Sequence, residues 1–139
     1  MFLNMSARLD EAAALVFDTD VFIWFLRGNE KAQKKILSQA PFRISAVTYM
    51  ELVQGMKNKR ELAALKKAIE SLDIETIQID SEISAQAISY VEKFFHSDSF
   101  AMADALIAAT CIKYEEPLCT ANDKHYKVVS GLKLDVFRP

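Results

Sequence analysis

The stretch LVFDTDVFIWFL, Leu15 to Leu26, decides how this chain is read. An apolar run reaches Asp18, admits a second acid at Asp20 and returns at once to apolar residues. Carboxylates seldom sit inside a buried stretch without a partner or a task. Ala14–Phe17 reads as a strand buried on both faces. Val21–Leu26 reads as a short helix with Gly28 as its C-cap. A strand, two acids and a helix form the opening of an α/β unit, with the acids at the strand's carboxyl end.

The rest of the chain repeats the alternation. Glu30–Gln39 is a basic amphipathic helix stopped by Pro41, and Phe42–Ala46 is a second strand. Thr48 is placed to cap a helix running to about Met56, with Gly55 near its end. Glu61–Leu72 carries Leu62, Leu65, Ile69 and Leu72 on one helical face. Ile74–Ile79 is a third strand, and Ser81 a cap for the helix Glu82–Phe95. Ala101–Tyr114 is an alanine-rich helix, Pro117–Thr120 a fourth strand, and Leu132–Phe137 a possible fifth. Strands separated by helices imply a mainly parallel sheet, in which ligands bind beyond the strands' carboxyl ends.

Composition bounds this reading. The chain has 139 residues, 51% of them hydrophobic and 26% charged, which suits one soluble domain with one core. Residues 1–13 read as a weakly specified extension and 14–139 as the domain. A net charge of −2, with 17 basic and 19 acidic residues, does not announce a nucleic-acid binder. It leaves room for one whose acids gather in a site while bases line its rim. Cys111 and Cys119 form no metal or redox motif, and such sparse usage fits a reducing cytoplasm. The apolar run Ala12–Phe17 is too short for a membrane span or a signal core, so no membrane is expected as partner.

Four places carry chemistry. Asp18 and Asp20 follow strand one, and Glu51 lies within VTYMELVQG after strand two. Asp104 lies within MADALIAAT, and Asn122 and Asp123 lie within CTANDKHY after strand four. A parallel sheet would bring these distant segments to one edge. Carboxylates gathered there disfavour one another's ionisation, a conflict that a divalent cation resolves. Mg²⁺ takes oxygen ligands and keeps several waters, and it can serve phosphodiester displacement.

FDTDVFIWFLRG, ISAVTYMELVQG, MADALIAATC and LCTANDKHYKVVSGLKL, in this order, resemble the four signature blocks of the PIN-domain family. The resemblance covers about residues 14–137 and is nearest to the VapC-type ribonuclease toxins of bacterial toxin–antitoxin pairs. It implies a three-layer α/β/α sandwich around a mainly parallel sheet of four to five strands. It also implies Mg²⁺- or Mn²⁺-dependent RNA cleavage, homodimerisation, and inhibition by a cognate antitoxin received near the early helices. Residue by residue, Asp18 is similar to the family's first metal-binding aspartate, Glu51 to the glutamate of its ELxxG block, and Asp104 to the aspartate of DALIAA. Asn122 falls on the T-x-[ND] pattern as a neutral oxygen, and Asp123 is the alternative carboxylate. Thr120 resembles the hydroxyl that orients ligands or phosphate. Asp20 stands where relatives often carry Asn or Ser, and would assist indirectly.

Each assignment has a plainer rival. Asp18 could be a helix cap. Glu51, three residues after Thr48, could complete a capping box. Asp104, among Ala101, Ala105, Ala108 and Ala109, has the least attractive plain reading, because an unpaired acid amid close packing is costly. His125 reads as a loop histidine without a catalytic role. Phe22, Trp24 and Phe25 read as core or partner-binding surface rather than base-stacking platforms. Lys31, Lys34, Lys35, Lys57, Lys59 and Arg60 could attract an RNA backbone, Lys31 and Lys57 being the nominees, or simply form solvated helix faces. Two other functions fit parts of the sequence. VFDTDV resembles the DxDxV motif of haloacid-dehalogenase-like phosphatases, with Asp18 as nucleophile and Asp20 as acid, which leaves Glu51 and Asp104 without work. A catalytically inactive PIN-like binding module is the other.

Overall fold

The structure, a computed structural model, describes residues 15–97 and 99–139. The proposed N-terminal extension and the first residue of the expected first strand, Ala14, lie outside the described residues. In chain order the elements are β1 (Val16–Phe17), α1 (Thr19–Leu26), α2 (Glu30–Gln39), β2 (Arg43–Ser45), α3 (Ala46–Gln54), α4 (Lys59–Ser71), β3 (Glu75–Ile77), α5 (Ser81–Phe94), α6 (Met102–Tyr114), β4 (Leu118–Thr120), α7 (Asp123–Tyr126) and β5 (Leu134–Val136).

Capping chemistry sets the helix starts, and it moves several of them from the expected positions. Asp18 accepts a hydrogen bond from the Thr19 N–H, so α1 begins at Thr19 rather than Val21. Ser45, not Thr48, caps α3 by accepting from Val47 N, and Thr48 is buried inside the helix. Glu51 therefore completes no capping box with Thr48. Asn58 caps α4, which starts at Lys59, and Asp80, one residue before Ser81, caps α5 through Ile83 N. At the end of α1, Arg27 is the C-cap and Gly28 follows with φ +85, a conformation that favours glycine.

The strands form one parallel sheet in the order β3-β2-β1-β4-β5. The chain builds outward from β1 to β3 and then returns to place β4 on the other side of β1. The switch point therefore falls between β1 and β4, whose register pairs Val16 with Leu118 and Phe17 with Cys119. Alternation along these strands divides the core in two. Val16, Ile77 and Leu118 join the helices α5 and α6 in one cluster, with Ile83, Ala87, Ala105, Ile107 and Ala108. Phe17, Ile44 and Cys119 face the other way, onto Phe22, Ile36, Leu52 and Leu65 from α1 to α4. Helices thus cover both faces of the sheet, as the three-layer reading expects.

Candidate active site

The carboxyl ends of β1 and β4 present Asp18 and Thr120 to each other across the switch point. Asp18 is only 5% exposed. Its Oδ2 accepts from the Thr120 hydroxyl at 2.7 Å, and its Oδ1 accepts from Thr19 N at 2.9 Å. The Tyr126 hydroxyl, on α7, lies 3.3 Å from Asp18 Oδ1 and 3.3 Å from Asp104 Oδ1, bridging the two acids. Asp104 is fixed on its other side, where Oδ2 accepts from Ala101 N at 2.9 Å. Glu51 comes in from α3, with Oε1 accepting from the Thr19 hydroxyl at 2.6 Å. Asn122 donates through Nδ2 to Asp20 Oδ2 at 2.8 Å, while its backbone N–H bonds the Thr120 oxygen. One hydrogen-bonded chain thus links Glu51, Thr19, Asp18, Thr120, Tyr126 and Asp104, and Asn122 ties in Asp20.

The structure treats the nominated residues unequally. Asp18, Glu51, Asp104 and Asn122 are gathered at one edge. Asp123, the alternative to Asn122, is turned away: Oδ1 accepts from Arg138 Nη2 at 2.8 Å, and that guanidinium holds the carboxyl below its ordinary range. Thr120 is fully buried and its hydroxyl is committed to Asp18 and Asn122, so it orients a carboxylate and is not presented to RNA. Lys31 is exposed on α2. Lys57 lies beside the groove lined by α1, α3 and α4. The capping role considered for Glu51 belongs to Asp104, whose bond to Ala101 N is the reciprocal half of a capping box.

One neighbour was missed and one was read as a loop residue. The missed residue, Tyr126, is buried at 1% exposure, and burial together with the charges of Asp18 and Asp104 pushes its phenol further up. His125, expected on a loop, stands on α7 with Nδ1 3.5 Å from Asp104 Oδ2. Both stand in the quoted block CTANDKHY, but a four-residue helix has no periodicity to say which way its side chains face.

The electrostatics are unbalanced. Burial, then the charge of Asp20, pushes the Asp18 carboxyl up to about 7 against the opposing bonds from Thr120 and Thr19. Asp20 is raised as well, chiefly by burial. Among the described residues, no Lys or Arg is paired with Asp18, Asp20, Glu51 or Asp104, and His125 is the nearest base. Nor do three Asp, Glu, His or Cys side chains among the described residues form a ready-made ion cage. Mg²⁺ is commonly held by one or two carboxylates, waters and substrate phosphates. The donors are hard oxygens, one buried and without a compensating cation, so the set fits the ion. Asp18 and Asp104 are the residues that would hold it, with Glu51 and Asp20 beside them.

The sheet order and the acids at the switch point define a three-layer α/β protein with an acidic site at the carboxyl edge. The PIN domain model matches residues 15–132, and the chain belongs to the PIN-domain family. Its fold is shared by a toxin–antitoxin complex from Klebsiella pneumoniae (22% identity, TM-score 0.72, covering 86% of this chain and 95% of that one). It is shared equally by VapBC2 from Rickettsia felis bound to a promoter DNA fragment (16%, TM-score 0.75, 90% and 99%) and by VapBC-1 from nontypeable Haemophilus influenzae (19%, TM-score 0.72, 88% and 97%). No curated protein sequence matches the chain.

Proposed function

We propose that this protein is a metal-dependent endoribonuclease, the toxin component of a type II toxin–antitoxin pair. The observation that carries the reading is the buried Asp18 carboxyl, facing Asp104 and Asp20 with no lysine or arginine paired to it among the described residues. A stable protein tolerates such a charge when a ligand completes it. The likeness in fold to toxin–antitoxin complexes adds support.

Bound there, Mg²⁺ (or Mn²⁺) would make a water more acidic and offset charge on the phosphoryl oxygens. The chain's own part is to aim and hold. Thr120 and Thr19 N fix the plane of the Asp18 carboxylate, Ala101 N fixes Asp104, and the Thr19 hydroxyl fixes Glu51. Glu51 Oε2 accepts no hydrogen bond among the described residues and would take the proton of the attacking water. Water as nucleophile leaves a 5′-phosphate and a 3′-hydroxyl.

Two surfaces support the proposed partners. Beside Glu51, a largely apolar groove of about 410 Å³ runs between α1, α3 and α4, lined by Ile23, Leu26, Leu52, Met56, Ala64 and Leu65. An apolar antitoxin helix would fit it and reach the acids. Ile88 and Val91 on α5 and Phe95 at its C-cap lie at i, i+3 and i+7, are exposed together with Met102, and would serve a homodimer. Among the described residues no helix is long and apolar enough to cross a membrane. Both cysteines are free and buried, in keeping with a cytoplasmic site of action.

The phosphatase reading fits less well. It gives no work to Glu51 and Asp104, which the hydrogen-bonded chain joins to Asp18. The deciding experiment is cleavage of a fluorescent RNA in Mg²⁺. Asp18→Asn should lower the rate on the order of a hundredfold or more, and EDTA should abolish it. An Asp18→Asn protein that cuts at the parental rate would refute the site, and a parent that cuts nothing would favour the binding module.

A further inference from the structure

A second feature is tied to the acidic site through Arg138. A cleft of about 380 Å³ lies between α2 and the chain segment that follows β5, lined by Lys31, Lys34, Lys35, Ser38, Phe137 and Arg138. Four of these are cations, in a chain whose net charge is −2.

Two of the four are neutralised. Lys35 Nζ is 2.7 Å from Asp135 Oδ2, and Arg138 Nη2 is 2.8 Å from Asp123 Oδ1. Lys31 and Lys34 have no carboxylate partner among the described residues, and both are exposed. Their i, i+3 spacing puts them on one face of α2, with Lys35 alongside. Like charges so placed cost the helix a little stability rather than adding any. Fold stability therefore gives no account of them.

The wall of the cleft is fastened to the site. Arg138 Nη1 donates to Ala121 O at 3.0 Å, and Arg138 also holds Asp123. The residue between those two, Asn122, bonds Asp20. A strand lying along Lys31, Lys34 and Arg138 would thus pass the β4–α7 loop at the edge of the acid cluster.

The geometry points to this cleft as the binding track for the phosphodiester backbone of single-stranded RNA. This assignment rests on the nuclease reading and adds to it the route by which substrate reaches the acids. It separates the bases into two groups: Lys31 and Lys34 contact RNA, while Lys57 flanks the apolar groove. Contact through the backbone makes affinity depend on salt and little on base sequence.

The test reads binding apart from cleavage. A fluorescein-labelled single-stranded RNA of about 12 nucleotides is titrated with protein in EDTA and followed by anisotropy across a salt series. K31E/K34E should weaken binding roughly tenfold at low salt and flatten the slope of log K against log salt by about 1.4, the value for two lost phosphate contacts. K31Q/K34Q should fall between that variant and the parent. K66E/K67E makes the same charge change at exposed positions of α4 and should leave affinity near the parent's. Parental affinity in K31E/K34E overturns the proposal, as does an equal loss in K66E/K67E. So does Lys31- and Lys34-dependent binding of a glutamate-rich peptide with RNA affinity unchanged, which would give the cleft to a protein partner. The nuclease reading is judged separately: a parent that fails to cut RNA in Mg²⁺ but loses binding through K31E/K34E refutes the enzyme and keeps the track.

Discussion

The two ends of the sheet handle a buried acid in opposite ways. At the amino end, Glu116 is 9% exposed, and Arg43 Nη2 lies 3.0 Å from its Oε1. Arg43 also approaches Glu75 at 3.5 Å and sits over the Tyr114 ring. Burial raises the Glu116 carboxyl, but Arg43 pulls against the rise. At the carboxyl end, Asp18 is buried more deeply, and its charged neighbours Asp20 and Asp104 push its carboxyl in the same direction as burial does. The chain has the means to pair a buried carboxylate and uses them at only one end. The amino end is built for the fold. The carboxyl end carries an electrostatic cost that the fold alone does not repay, as the proposed cation site requires.

Removing the compensation at the structural end should have the largest effect on stability. Arg43→Met strands Glu116 and should destabilise the protein by about 3 kcal/mol in chemical denaturation. RNA cleavage per folded molecule should stay at the parental level. A loss of cleavage without a loss of stability would erase the contrast between the two ends.

The converse change relieves the acidic end. The folded-state value for Asp18 is about 7, against 3.8 in an unfolded chain, so between those values the folded protein holds a proton that the unfolded one has released. Stability without divalent cations should therefore fall as pH rises from about 4 to 7. Asp18→Asn removes that dependence and should stabilise the cation-free protein at pH 8 by about 2 kcal/mol, less than the full shift because an amide accepts poorly from Thr120 and Thr19 N together. Melting curves across the pH range would show it. A variant less stable than the parent at pH 8 would mean that Asp18 is compensated after all.

Tyr126→Phe should have the smallest effect. It removes one shared, long hydrogen bond and keeps the buried ring, so about 1 kcal/mol of stability should go. Mg²⁺ affinity should change severalfold, because the bridge that spaces Asp18 from Asp104 is gone. An unchanged Mg²⁺ affinity would reduce Tyr126 to a packing residue.

The acidic end of this contrast was legible in the sequence, the Arg43–Glu116 end was not, and the reason is topological. Residues that follow parallel strands share an edge whatever their separation, so Asp18 and Asn122, 104 residues apart in number, could be placed together from the strand pattern. Asp104 lies in the first turn of α6, and Glu51 reaches that edge from the second half of α3. What stayed hidden depends on the direction of individual side chains. Asn122 and Asp123 are adjacent, yet one turns to Asp20 and the other to Arg138, a distant residue that no local pattern links to it. Helix caps were misplaced by three residues and by one where Ser45 and Asp80 outcompeted Thr48 and Ser81, and α4 starts two residues early behind an Asn58 cap. The capping bond of Asp104 escaped notice because its partner is a backbone N–H, and every residue but proline offers one.

The most direct measurement is calorimetric titration of Mg²⁺ into the purified protein and into Asp18→Asn at pH 8. The account predicts saturable binding to the parent, weakened roughly tenfold or more in the variant. Equal binding by both proteins, or none by the parent, would contradict it.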